Sequence, residues 1–381
     1  LLKNKKLKIL MLSVWYPSKV SPGKGTFVKE FARALSLFSE VTVVSPVPVS
    51  GEFQGKELPF INDSAEDGIR TILAYYKKPV FFNLLKGLYY FTKALKQLLK
   101  SSYKPDVVNA HVYYSALPML LIPELRKVPL AVSEHSSAFI SKNGIGFIRG
   151  ILAGIIFRRA KVILPVSLYL KDAILEFSGK IPVEIVPNTY DRLLFNTSAR
   201  KDAEDGKTHL LFVGSLVPVK GVDILLKSFS LLKDRSLILD IVGDGRKRSE
   251  YEKLAVVQGV AERVKFHGFL TKSEVAELMS KSNIFVLCSR TETFGCVLME
   301  AAGAGLPVVT VRVGGVPEVV NESMGVLVKP DSPEAFAEGI EKMLSMLDKF
   351  EPETIAAEAS VRFSHEKVGE KLADILRKQL Y

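Results

Sequence analysis

Residues 284–310 read IFVLCSRTETFGCVLMEAAGAGLPVVT, and the fold class follows from this stretch. Ile284–Leu287 is a short continuous apolar run. A polar loop follows, Phe294-Gly295 make a turn, and Cys296–Ala304 has helical spacing before a second apolar run, Pro307–Thr310. Strand, helix and strand, with apolar runs that do not alternate with polar residues, predict parallel strands buried on both faces by helices.

The same unit recurs outward in both directions. Lys8–Val14, Val41–Ser45, Asp106–Ala110, Leu130–Ser133, Val162–Val166 and Glu184–Val186 read as strands of a first set. His209–Val213, Leu237–Val242, Val264–His267, Ile284–Leu287, Pro307–Thr310 and Val326–Val328 read as a second. Phe27–Phe38, Phe82–Lys100, Val222–Leu232 and Lys272–Ser280 carry helical spacing between them. Repeated strand–helix–strand predicts a doubly wound α/β architecture with two sheets. The polar stretch TSARKDAEDGKT, Thr197–Thr208, is the expected joint, giving domains at 1–196 and 197–364, with a last helix over His365–Leu380.

A chain of 381 residues, 48% hydrophobic and 24% charged, has ordinary globular composition, which excludes disorder and collagen. Its two cysteines, Cys288 and Cys296, form no C-x-x-C, so neither a zinc site nor a disulfide framework is expected and a reducing compartment suits them. The formal charge is +11 and lies entirely in the first half: residues 1–190 carry 26 Lys and Arg against 13 Asp and Glu, residues 191–381 carry 26 against 28. The basic start followed by a short apolar run reads as a first buried strand, not a signal peptide. Gly150–Phe157 is far short of the roughly 20 residues of a spanning helix.

Several strand ends carry candidate chemistry. In LFVGSLVPVKG, Leu211–Gly221, an apolar strand meets Gly214, then Ser215, and Lys220-Gly221 precede a helix. Such a turn offers backbone N–H groups and a helix N-terminus to an anion, although a plain turn with a solvated lysine fits equally well. It is not a P-loop. In LDIVGDG, Gly243 and Gly245 suggest a dinucleotide fingerprint, but position 248 is Arg, so an oxidoreductase reading is weak; these glycines are expected to let a ligand or the facing domain approach the backbone. In SRTETFGCVLMEAAGAGL, Glu292 stands in the loop and Glu300 eight residues on, inside the helix. The free N–H groups of the helix start between them suit a phosphate, and the carboxylates suit sugar hydroxyls. An exposed glutamate pair beside a small-residue packing face is the plain alternative. Gly314-Gly315 follow a strand, and Gly23 and Gly25 lie between the first strand and first helix. His111 and His135 each end an apolar strand, where open α/β sheets face their ligand crevice. No metal-ligand spacing occurs, so no metal is assigned, and no cofactor is called for.

In this order the segments PGKGTFVKEFARAL, AHVYYSALP, SEHSSAF, IVPNTYDRLLF, VGSLVPVKGVDILLKSF, IVGDG, FHGFL and TETFGCVLMEAAGAGLPVVTVRVGGVPEVV resemble the glycosyltransferase family 4 pattern over nearly the whole chain. The resemblance implies the GT-B fold, with two Rossmann-like domains facing a central cleft and the last helix returning to the first domain. It implies a nucleoside-diphosphate sugar donor, UDP- or GDP-linked, held by the second domain and an acceptor held by the first. By motif position, Glu300 is expected at the ribose hydroxyls, and Glu292 with the backbone of Phe294, Gly295, Cys296 and Val297 at the donor sugar and phosphate. Lys220 is expected to neutralise the diphosphate, with Gly214, Ser215 and Gly243 nearby and Gly25 approaching from the first domain. Gly268 and Phe269 match the stretch bordering the base, His135 the position beside the transferring sugar, and His111 the acceptor side. The family's arginine after the VG of its VGR motif is Ser215 here, which removes half the usual positive clamp; Arg290 and Arg312 are the substitutes by proximity.

The implied reaction is a retaining, metal-independent hexosyl transfer, with charge stabilisation by Lys220 and helix N-termini and no covalent role for Glu292. A sugar-nucleotide epimerase or hydrolase, or a non-catalytic sugar-nucleotide-binding subunit, are the rival readings. In Tyr75–Lys104, lysines interleave with Val80, Phe81, Phe82, Leu84, Leu85 and Tyr89, and Gly144–Arg159 adds Arg149, Arg158 and Arg159 to an apolar run. Two helices with buried apolar faces explain this, as does an interfacial surface docking on anionic lipid with a lipid-linked acceptor. The expected location is cytoplasmic, peripheral on the inner membrane face. No nucleic-acid-binding motif accompanies the charge, so nucleic acid is not an expected partner.

Overall fold

The computed structural model describes residues 6–51, 57–79, 83–141, 144–201 and 205–380. In chain order the elements are β1 (Lys8–Ser13), α1 (Thr26–Ser36), β2 (Glu40–Val49), β3 (Phe60–Glu66), β4 (Ile69–Lys77), α2 (Asn83–Lys100), β5 (Val107–His111), α3 (Leu117–Leu121), β6 (Leu130–Glu134), α4 (Phe147–Arg159), β7 (Val162–Pro165) and α5 (Leu168–Ser178). There follow β8 (Thr208–Val213), α6 (Val222–Leu231), β9 (Leu237–Val242), α7 (Arg248–Val257), β10 (Val264–Gly268), α8 (Lys272–Ser280), β11 (Ile284–Leu287), α9 (Cys296–Gly303), β12 (Val308–Val311), β13 (Gly325–Val328), α10 (Pro333–Leu344), α11 (Pro352–Phe363) and α12 (His365–Lys378).

The chain divides into two compact units, one of Leu1–Thr189 with His365–Tyr381, the other of Tyr190–Ser364. The division falls at Tyr190, ahead of the polar stretch at 197–208. In the first unit the strand order is β3-β4-β2-β1-β5-β6-β7, parallel except for β3. In the second it is β10-β9-β8-β11-β12-β13, parallel throughout. The order reverses between β1 and β5 in the first sheet and between β8 and β11 in the second. Ligands of open α/β sheets bind at the carboxyl ends of the strands at such switch points.

Two expectations change. Glu184–Val186 is not a strand: the segment runs beside β7, with one bridge from Val183 to Ile163, and Pro182 and Pro187 on either side lack the N–H a ladder needs. The β3–β4 hairpin is an addition to the expected strands, because β3 is a half-exposed polar edge strand and shows no apolar run.

α12 belongs to the first unit through its packing on α1. α1 buries Val28, Phe31, Ala32 and Leu35, and α12 buries Val368, Leu372, Ile375 and Leu376, both at helical spacing and in one core. The helices touch at Gly369, where an added Cβ would lie 2.2 Å from the Ala34 carbonyl oxygen. The buried Glu30 carboxylate of α1 receives a hydrogen bond from His365 Nε2 at 2.9 Å. Gly369→Val is therefore expected to force α12 off α1 and to destabilise the protein by roughly 1–3 kcal/mol, as overpacking does. An unchanged denaturation midpoint would show that the helices have room to separate.

Candidate active site

The second unit assembles its candidate residues from loops on both sides of the β8/β11 switch point. After β8 the chain passes Gly214 and Ser215 and reaches Lys220 and Gly221, which caps α6. Gly221 has φ 68°, and a Cβ there would meet the Cys288 carbonyl oxygen at 2.0 Å. Only glycine lets this loop lie against the end of β11. A backbone hydrogen bond from Arg290 N–H to the Val219 carbonyl, 2.7 Å, joins the two loops. This close apposition brings Lys220 Nζ to Glu292 Oε1 at 2.5 Å, and Ser289 Oγ donates to the same oxygen at 2.8 Å.

Glu292 is held from a third side. A Cβ at Gly314 would lie 1.9 Å from the Glu292 carbonyl oxygen, which accepts the Gly315 N–H at 3.2 Å. Beyond Glu292, Gly295 adopts the left-handed conformation and opens α9. The first N–H groups of α9, those of Cys296 and Val297, belong to the set that a helix leaves without intrahelical partners. Phe294 points away, buried edge-to-face against Phe363 at 5.6 Å, so only its backbone is available to a ligand. Burial pushes the Cys296 thiol up to about 12, which leaves it a neutral packing group.

Glu300 sits one turn inside α9 and takes an ion pair from Lys272 Nζ at 2.8 Å. Lys272 is not among the residues that the motifs single out. Its signal is local: Thr271 and Glu274 form a capping box that fixes the start of α8 at Lys272. A lysine in a first helical turn opposes the helix dipole, which points to an acidic partner outside the helix. Gly268, with φ 73°, ends β10, and the Phe269 side chain after it is half exposed.

Two of the expected residues have packing or ion-pair partners within this unit. Gly243, together with Gly245, lies against backbone of the same unit: Cβ atoms there would lie 1.9 Å from the Gly214 carbonyl oxygen and 2.5 Å from that of Leu216. Arg290 is not a replacement clamp. Its guanidinium grips Asp223 at 2.8 and 2.9 Å and Asp331 at 2.9 Å, so its fork is committed to structure. Arg312 is exposed, and no side-chain partner is found for it among the described residues. Ser215 is exposed at the mouth of the Lys220 loop.

In the first unit the candidates flank the β1/β5 switch point. Gly25, with φ 71°, opens α1, and a Cβ there would meet the Trp15 carbonyl oxygen at 2.3 Å. His111 ends β5 and His135 follows β6; their rings stack, with Nδ1 of His111 3.0 Å from Nε2 of His135. Burial pushes the His135 imidazole down to about 3, and burial followed by its neighbour takes His111 well below the usual range, so both rings are neutral at physiological pH. His111 is fully buried, and its ring stacks on that of His135, which is itself buried. The Glu134 carboxylate accepts N–H groups of Tyr113, His135 and Ser136 at 2.8–3.0 Å and so fixes the turn that carries His135. Burial raises its pKa to about 7 against those three bonds.

Two such α/β units define a GT-B protein. The sequence pattern described as Glycosyltransferase Family 4 matches residues 23–192, and that described as Glycosyl transferases group 1 matches residues 195–355. The chain belongs to glycosyltransferase family 4 and is a glycosyltransferase. It is similar to the glycogen synthase of Mycobacterium tuberculosis, 28% identical over 89% of this chain and 86% of that protein. It is also similar to a phosphatidylinositol N-acetylglucosaminyltransferase protein of Arabidopsis thaliana, 31% identical over 51% of this chain and 44% of the relative. Among solved structures, HepE of Anabaena in complex with UDP and glucose superposes with a TM-score of 0.75 at 19% identity, over 98% of this chain and all of the other.

Proposed function

We propose that the protein is a retaining hexosyltransferase that takes a hexosyl group from a UDP- or GDP-linked donor and moves it to an acceptor hydroxyl on a lipid-linked or membrane-associated glycan. The observation that carries the donor half is the Lys220–Glu292 pair beside the α9 N-terminus, with Glu300 one turn further on. Without donor, Lys220 is paired with Glu292. A diphosphate would take over the ammonium, and the released Glu292 carboxylate would accept hydroxyls of the sugar. Glu300 would then accept the ribose hydroxyls. As the anomeric bond breaks, charge develops on the leaving diphosphate, where Lys220 and the Cys296 and Val297 amides stabilise it. The leaving phosphate accepts the proton of the acceptor hydroxyl, which attacks on the same face, so no metal ion is required by this route. In the first unit His135 is the group assigned to the transferring sugar, and His111 holds its ring.

Transfer of label from a nucleotide sugar to an acceptor, with release of nucleoside diphosphate, tests the reading. Nucleotide release with altered free sugar would make it an epimerase or hydrolase, and binding without turnover a non-catalytic sugar-nucleotide-binding protein. A thermal-shift panel of nucleotide sugars identifies the donor, since a ligand of the folded state raises the melting point. Ser215→Arg is expected to tighten donor binding by about 1–2 kcal/mol through a new charge-assisted bond. Unchanged or weaker binding in a calorimetric titration would show that the loop works without a second cation.

The membrane part of the reading is supported by the surface of the first unit. α4 exposes Phe147 at 84% and Ile148 at 82%, along with Ile151, Ile155 and Arg149. α2 exposes Leu84, Leu85 and Tyr89 near Lys93 and Lys96, whereas Val80, Phe81 and Phe82 lie outside the described residues. Among the described residues no helix is long and apolar enough to cross a membrane. The Arabidopsis relative is named for phosphatidylinositol. Cosedimentation with anionic vesicles at low salt, lost with neutral vesicles or high salt, is the expected result. No excess binding to anionic vesicles would leave a soluble acceptor.

A further inference from the structure

The first unit holds a cavity of about 130 Å³ at the carboxyl ends of its strands. Its walls come from the segment after β1, from the end of β2, from β4, and from the first turns of α2. They are mostly apolar: Trp15, Pro46, Leu88, Phe91, Tyr114 and Leu117 line it, with Asn83 among the polar groups. Tyr76 closes one side, its hydroxyl bonded to Asn83 at 3.2 Å. That hydroxyl lies 2.8 Å from where a Cβ of Gly87 would stand, so a larger residue there would push the Tyr76 hydroxyl aside. A space of this size accepts a benzene-sized apolar group. With no carboxylate among its lining residues it is poorly built to bind the hydroxyls of a sugar ring.

The polar feature of the mouth is positive. Lys24 lines the cavity and is exposed. Desolvation, and then the nearby Lys78, lower its pKa. Among the described residues neither lysine has a carboxylate partner. Two like charges beside an apolar hole are relieved by an anion whose other end is apolar. Leu84 and Leu85, both more than 60% exposed, continue the apolar surface from the start of α2.

We infer that this cavity is the acceptor's anchoring site and that it takes an anionic amphiphile: the phosphate ester of an apolar alcohol, with the phosphate between Lys24 and Lys78 and the first apolar carbons against Trp15 and Leu88. This rests on the proposal that the first unit holds the acceptor, and it narrows that acceptor to the phosphorylated lipid class.

The protein's single tryptophan, Trp15, reports directly on the cavity. Octyl phosphate, kept below its aggregation concentration, is expected to change tryptophan emission saturably and to bind about tenfold or more tighter than octyl glucoside, which has the same chain without charge. Inorganic phosphate alone is expected to leave the emission unchanged. Lys24→Gln combined with Lys78→Gln is expected to bring octyl phosphate down to the affinity of octyl glucoside, and Leu88→Phe to weaken both. Equal affinities for the two octyl compounds in the wild type, no saturable change, or inorganic phosphate binding as tightly as octyl phosphate would each overturn the inference without any variant. Donor binding is followed separately by thermal shift. Donor binding with a silent cavity rejects the anchor and leaves the transferase reading standing. A responsive cavity in a chain that transfers no label to any glycan linked through phosphate to a lipid retains the binding site and rejects its role in the reaction.

Discussion

Lys220→Ala is expected to lower turnover by about 10²–10³-fold, the cost of removing one fixed charge stabiliser from a transition state. Ground-state donor binding should fall much less, since the ammonium matters most when the diphosphate departs. The ion pair seen without ligand makes a further expectation about folding. Lys220 is about a quarter exposed, so losing its pair with Glu292 should cost no more than about 1 kcal/mol. Ser289 still donates to the Glu292 carboxylate. Lys220→Arg should recover part of the rate, because it restores the charge but not the compact ammonium geometry. The measurement is single-turnover transfer beside a denaturation curve. Equal turnover for wild type and Lys220→Ala would remove Lys220 from the chemistry. A fall in rate explained by an equal fall in stability would make its pairing with Glu292 structural.

The second unit was legible because its strands are buried on both faces, and continuous apolar runs mark such strands without any alignment. Its loops were legible for a different reason: glycine and charge stand at strand ends, where parallel sheets place their ligands. What each glycine faces was not legible. Gly221 and Gly314 admit the backbones of Cys288 and Glu292, and Gly243 admits that of Gly214. These are contacts between segments far apart in sequence, and one sequence does not rank them against approach by a ligand. Arg290 shows the same limit. Its nearness to the Glu292 motif suggested a clamp, but its partner Asp223 lies in α6 and the fold commits it there. In the first unit β3 was hidden by its polarity, although the turn into β4 was signalled by Asp67-Gly68, both with positive φ and both typical of tight hairpins. His111 and His135 stand at strand ends as expected, but the burial of both rings depends on the packing of α1 over them. Phe31 lies 5.2 Å from the His111 ring and Phe27 4.7 Å from that of His135.

Glu300→Ala should weaken donor binding by about 1.5–3 kcal/mol, or roughly 10–150-fold, because the ribose hydroxyls lose a charged acceptor. Lys272 makes the substitution more informative. In the free protein Lys272 holds one oxygen of Glu300, so the carboxylate is oriented before the ribose arrives. Glu300→Gln keeps an acceptor oxygen but loses charge and the lysine's grip; it should fall between wild type and alanine. Lys272→Met should leave the carboxylate in place but unaligned, and should cost less than Glu300→Ala. Combining Lys272→Met with Glu300→Ala should add little to Glu300→Ala alone, since a lysine that acts through Glu300 has nothing left to orient, and such coupling is what a double-mutant cycle reads. Calorimetric titration with the nucleoside diphosphate identified by thermal shift gives all four affinities. Donor affinity unchanged in Glu300→Ala would take Glu300 out of the site. Fully additive losses would mean that Lys272 meets the nucleotide itself, in which case its ammonium at the start of α8 is a second contact for the donor.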